Sequence, residues 1–221
     1  MCRFLLIKLK KPIRPVEMLQ SFSLMAKNSK AYDGDWQGDG WGICWVDKQG
    51  RFQVKKSVQP IWKDYNLFEK IPESTFFAIH ARSASFPQHK NNIIFNQPYS
   101  NKDFIFVFNG LLNGVNIPEK VPGIIGAEKI WFLLKILLKK MEPQKALNKL
   151  KDYLIKYTRD IQALNIGLAD RKNVYTICFY NRFPKYYCLH YLKNKEISAI
   201  SSETLPFGFW KKLKSSQILK L

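Results

Sequence analysis

The 221-residue chain is 46% hydrophobic and 14% aromatic, enough for one well-buried core without requiring a second, so 1–221 is read as a single domain. Its 36 basic against 17 acidic residues give a formal net charge of +19; these are 29 Lys and only 7 Arg, scattered in doublets such as Lys10-Lys11 and Lys139-Lys140, which reads as a solvated lysine surface and argues against nucleic acid as a partner. Four cysteines (Cys2, Cys44, Cys178, Cys188) are too sparse for a secreted disulfide framework and show no zinc spacing, and no apolar run reaches the ~18 residues of a membrane span, so a cytoplasmic chain with reduced thiols, no metal, no cofactor and no membrane contact is expected.

CRFLLIKL (2–9) has strand length and is apolar on both faces over Phe4 to Ile7, as a strand buried in a layered fold would be. PIRP (12–15) punctuates it, and VEMLQSFSLMAK (16–27) has helical spacing at Met18, Leu19, Phe22 and Met25. The turn-rich KAYDGDWQGDG (30–40) leads into WGICWV and RFQVKKS, which read as a hairpin. TFFAIHARSAS (75–85) and DFIFVFNG (103–110) both start as apolar strands, the first ending in small polar residues and the second abruptly in Asn-Gly. EKIWFLLKILLKK (128–140) is apolar nearly all round, which predicts a helix buried between layers, whereas PQKALNKLKDYLIKY (143–157) carries one apolar stripe. The last third returns to strands: ALNIGLAD, NVYTICFYN, KYYCLHYLK, EISAISSE and QILKL. Strands, two central helices, then strands again predict an α+β domain with sheet packed between helical layers.

Several of these strands end in residues suited to chemistry. Removal of Met1 would free the α-amine of Cys2, with a pKa of about 7.7–8.0, to take the proton of its own thiol. The plain alternative is a cysteine at the start of a buried strand. Arg82, just after an apolar strand, has the fork that grips a carboxylate, or else makes an ordinary surface ion pair. His80 shares its face and reads as a structural, hydrogen-bonding group. Asn109-Gly110 is either a turn or a side-chain amide beside a backbone N–H, the two donors of an oxyanion hole.

In chain order these pieces form one pattern. Met-Cys-Arg at the start, Gly38-Asp39-Gly40-Trp41-Gly42-Ile43, His80-x-Arg82-x-Ala84-Ser85, Asn96-Gln97-Pro98-Tyr99, Phe108-Asn109-Gly110 and Ser201-Ser202-Glu203-Thr204-Leu205 span nearly the whole chain. The sequence resembles the class II glutamine amidotransferases, N-terminal nucleophile (Ntn) hydrolases, in their small stand-alone branch. The resemblance implies a four-layer αββα sandwich, two antiparallel sheets between helical layers. It implies glutaminase chemistry: Cys2 as nucleophile with its own amine as base, Asn109 and Gly110 as the oxyanion hole, and Arg82 on the substrate α-carboxylate. His80 and Ser83 stand in the same substrate-binding stretch. The implied ligand is a small molecule, glutamine or a γ-glutamyl compound, and a synthase subunit would receive the ammonia in trans.

One position departs from the pattern. Where the family has an Asp holding the substrate α-amine, this chain has Gly126 in Ile125-Gly126-Ala127-Glu128. Losing that charge-assisted bond costs about 1.5–3 kcal/mol of recognition. Glu128, or one of Asp33, Asp35 and Asp39, could substitute, or the natural substrate is not free glutamine. Gln37 and Phe108 likewise stand where the family has histidines. Three readings follow: a glutaminase or amidotransferase, a related amidase on another γ-glutamyl or amide substrate, and a non-catalytic binding module with a basic surface.

Overall fold

The computed structural model describes residues 1–221. In chain order the strands are β1 (Arg3–Ile13), β2 (Trp41–Val46), β3 (Phe52–Ser57), β4 (Ser74–Ala81), β5 (Tyr99–Ser100), β6 (Ile105–Val115), β7 (Thr158–Ala169), β8 (Val174–Cys178), β9 (His190–Lys193), β10 (Ile197–Ser201), β11 (Lys211–Lys212) and β12 (Gln217–Lys220). The long helices are α1 (Val16–Asn28), α2 (Gly126–Leu138) and α3 (Pro143–Lys156). Seven strands form one sheet in the order β11-β9-β10-β1-β4-β2-β3, and five form the other in the order β12-β8-β7-β6-β5. Every pairing is antiparallel.

Alternation along the central strands builds the layers. On β1, Leu5 and Ile7 pack with Leu19 and Phe22 of α1, while Phe4 and Leu6 face the other way, onto Ile105 and Val107 of β6. On β6, in turn, Phe106 and Phe108 pack against Ile130, Trp131 and Leu134 of α2 and Leu150 and Leu154 of α3. Three apolar clusters thus separate four layers, and the two-sided hydrophobicity of Phe4 to Ile7 follows from burial on both faces. This is the αββα sandwich of two antiparallel sheets expected from the sequence.

Three local expectations need correction. α2 is not buried between layers: only Ala127, Ile130, Trp131 and Leu134 are fully buried, and Ile136 is exposed, because the helix lies on the outside of the five-stranded sheet. β6 does not stop at Asn109-Gly110. Those residues pair with Asn165 and Leu164 of β7, and the strand continues to Val115 after a register shift between Leu111 and Leu112. Cross-strand pairing overrides the local turn signal. Finally, the strand expected from Lys185 begins instead with a helical turn at Pro184–Tyr187, set by Pro184 following Phe183 at φ +53°.

Candidate active site

Cys2 immediately precedes β1, whose Arg3 pairs with Ala81 of β4. The chain leaving β4 therefore carries Arg82 and Ser83 alongside the N-terminus. Cys2 Sγ lies 3.7 Å from the Ser83 carbonyl, and the Ser83 hydroxyl donates to the Asp35 carboxylate. Asp35 also accepts from the Met1 ammonium. Met1 is well anchored: its carbonyl accepts from Gln37 Nε2 (2.9 Å) and Tyr186 Oη (3.2 Å), and its sulfur faces Tyr187 Oη at 2.8 Å. Burial lowers the pKa of that terminal amine, against the opposing pull of Cys2 and Asp33. The Oε1 of Gln37 is buried with no hydrogen-bond donor beside it.

The Gly38–Ile43 stretch has a mechanical purpose. Arg82 N–H donates to the Gly40 carbonyl (2.8 Å), Asp39 N–H donates to the Arg82 carbonyl (3.0 Å), and Asp39 Oδ2 accepts from Ala84 N–H (2.8 Å). Gly40 sits at φ +110°, and a Cβ there would fall 2.2 Å from Asn96 Nδ2. Its absence lets Asn96 reach in and accept from Arg82 Nη1 at 3.3 Å, while Arg82 Nη2 donates to the His89 carbonyl at 2.8 Å. Arg82 is only 4% exposed, and its guanidinium pairs with no carboxylate of the chain. A buried cation without a counter-charge is costly, and the arrangement favours an anion brought from outside.

A cavity of about 640 Å³ opens here, with Cys2, Arg82, Ser83, Gln97 and Gly110 on its wall. Gly110 leaves no room for a side chain, since a Cβ would fall 2.2 Å from the Ala163 carbonyl. The Asn109 side chain is 1% exposed, and neither its Nδ2 nor its Oδ1 has a hydrogen-bond partner. Such an orphaned amide costs about 1–3 kcal/mol when nothing satisfies it. Gln97 braces the adjoining backbone, accepting from Phe108 N–H at Oε1 (2.6 Å).

Besides Asn109, which is not on the cavity wall, two of the residues read from the sequence lie elsewhere. His80 is off the cavity wall, fully buried between the sheets, with Nε2 at 3.2 Å from the Phe108 carbonyl and Nδ1 unpartnered. Burial pushes its pKa down to about 3, so the ring is neutral. Glu128 also leaves the wall: its Oε2 accepts from the N–H groups of Ile124 (2.8 Å) and Ile125 (3.2 Å), capping α2. Neither group is free to hold a substrate amine. Gly126 does line the cavity, with open space where a Cβ would stand. Tyr186 and Tyr187, which hold Met1, carried no sequence signal, because nothing local distinguishes them from core aromatics.

The family model for class II glutamine amidotransferases matches residues 1–195. The chain belongs to that family. A glutamine aminotransferase class-II domain protein of Silicibacter pomeroyi has a similar fold, at 18% identity, covering 99% of this chain and 94% of that one with a TM-score of 0.67. The glutamine phosphoribosylpyrophosphate amidotransferase of Bacillus subtilis is similar too, at 13% identity and a TM-score of 0.68, with 99% of this chain matched to 47% of that longer one. Among curated proteins none has a matching sequence. This class II amidotransferase has the fold of those proteins, and no helix is long and apolar enough to cross a membrane.

Proposed function

We propose that this amidotransferase hydrolyses the side-chain amide of a carboxylate-bearing substrate, of the glutamine or γ-glutamyl class, through Cys2 after removal of Met1. One observation carries the reading: Arg82, a buried guanidinium without a counter-charge, shares a cavity wall with Cys2 and Gly110. The guanidinium takes the carboxylate and so positions the amide at the thiol. The freed α-amine of Cys2 takes the thiol proton, and the thiolate attacks the amide carbon. Asn109 Nδ2 and the Gly110 N–H stabilise the resulting oxyanion. Nitrogen leaves as ammonia with the proton returned by the amine, and water then cleaves the thioester to release the carboxylate product and restore the thiol. Gln37 and Asp35, which hold the Met1 carbonyl and ammonium, would hold the Cys2 amine once Met1 is gone. Ammonia set free here can serve a synthase subunit in trans.

The test is ammonia release from glutamine and γ-glutamyl amides by protein whose mass shows Met1 absent. Turnover that disappears in Cys2→Ala supports the reading. A Met1-free protein inactive on every such amide sinks it and favours the non-catalytic binding module.

A further inference from the structure

The cavity is far larger and greasier than a single amino acid needs. At about 640 Å³ it falls among sites for drug-sized ligands, roughly 300–1,000 Å³. From Cys2 and Gly110 it runs along Leu111 and Leu112 to the flank of α2, where Ile125, Ile130 and Leu133 line it. At its rim Phe86, Val115 and Ile124 are 57%, 44% and 70% exposed. Those apolar side chains are wet as they stand and would be covered by an apolar body occupying the cavity.

The charges on the wall disfavour a free ammonium there. Arg82, Lys120 and Lys129 are cations, and the only acidic group, Glu119, is engaged by the Tyr153 hydroxyl. Gly126 and Ala127 open the N-terminus of α2, a positive dipole end, onto the same space. A ligand nitrogen near Gly126 is therefore better accommodated uncharged.

We infer that the preferred substrate is an anionic primary amide whose α-nitrogen is acylated by an apolar group, an N-acylglutamine, rather than free glutamine. The inference rests on the hydrolytic reading above. Its carboxylate meets Arg82, its side-chain amide meets Cys2, and its acyl chain lies along the wall formed by Leu111, Ile130 and Leu133. Cys2 forms a thioester as the C–N bond breaks and ammonia departs; water then gives the N-acylglutamate and the free thiol.

The experiment compares glutamine with N-acetyl-, N-butanoyl-, N-hexanoyl- and N-octanoylglutamine as substrates of the Met1-free full chain. In parallel, calorimetry follows the binding of glutamine and N-octanoylglutamine to Cys2→Ala. The expected kcat/KM rises by about fourfold per methylene while the chain is being buried. Gly126→Asp, whose Cβ enters open space, should shift the ratio toward glutamine by about tenfold. A thermal melt checks that this variant is folded. Glutamine turned over as well as every acylated analogue, with no gain in binding from the octanoyl chain, overturns the inference and leaves the hydrolytic reading standing. Tight octanoyl binding without ammonia from any amide supports the substrate class and overturns the chemistry.

Discussion

Asn109 and His80 are both buried polar residues with unpartnered atoms, and chemistry separates them. Asn109 has no side-chain hydrogen bond to lose, so in Asn109→Ala the relief of an orphaned amide offsets the small cavity left, and the melting temperature should stay within a few degrees of the parent. If the amide serves the oxyanion, the same change should cost about 10²–10³ in kcat. A large loss of stability with kcat intact would identify a packing residue instead. For His80 the ring is neutral when folded, with a pKa of about 3 against 6.5 for the free side chain. Between those values the unfolded chain binds a proton that the folded chain refuses. Stability is therefore full above pH 6.5 and falls on acidification by about 1.4 kcal/mol per pH unit across that window. Urea unfolding from pH 7 to pH 4 would measure it, and His80→Gln should flatten the profile. At this scale the sequence disclosed the residue types and their order, and it could not tell which carboxylate was spoken for. Glu128 looked like a ligand because its partners, the N–H groups of Ile124 and Ile125, are backbone and leave no mark in the side-chain sequence.

That same carboxylate governs the start of α2. Ile125 offers no side-chain acceptor at the helix N-terminus, and Glu128 supplies it from the first turn. Glu128→Ala should cost about 1 kcal/mol by denaturant unfolding and loosen the cavity wall at Gly126 and Ala127. An unchanged stability would mean that water caps the helix equally well. The strands of the two central pairs were legible because β1, β4 and β6 are apolar runs of the right length. The course of β6 past Asn109-Gly110 was not, since it depends on pairing with β7, more than fifty residues later. The all-round hydrophobicity of α2 was visible, and its meaning was hidden: part of the helix covers the five-stranded sheet, and Ile130 and Leu133 line the cavity.

Across the molecule the charge is unbalanced. Only eight of the 36 basic side chains form ion pairs with acidic ones. Most lysines repel one another through water, which opposes compaction and is screened beyond about 8 Å at physiological salt. The melting temperature should therefore rise as sodium chloride is raised from about 0.01 M to 0.15 M, and a flat or falling curve would show that the surface charge is neutral in its effect on folding.

The position of β1 at the centre of its sheet sets a schedule for the newborn chain. Its neighbours are β4 and β10, and β10 ends at Ser201, so the N-terminal strand stays half-paired until Ser201 has been made. Once folded, the Met1 side chain is 9% exposed and the residue is clasped by Asp35, Gln37 and the two tyrosines, which hold it back from an aminopeptidase. At about 5–20 residues per second, synthesis as far as the end of β10 leaves a trimming window of about ten to forty seconds. Protein that misses it should stay untrimmed when folded material is incubated with methionine aminopeptidase, and lose Met1 only when the enzyme is added to the urea-unfolded chain as it refolds.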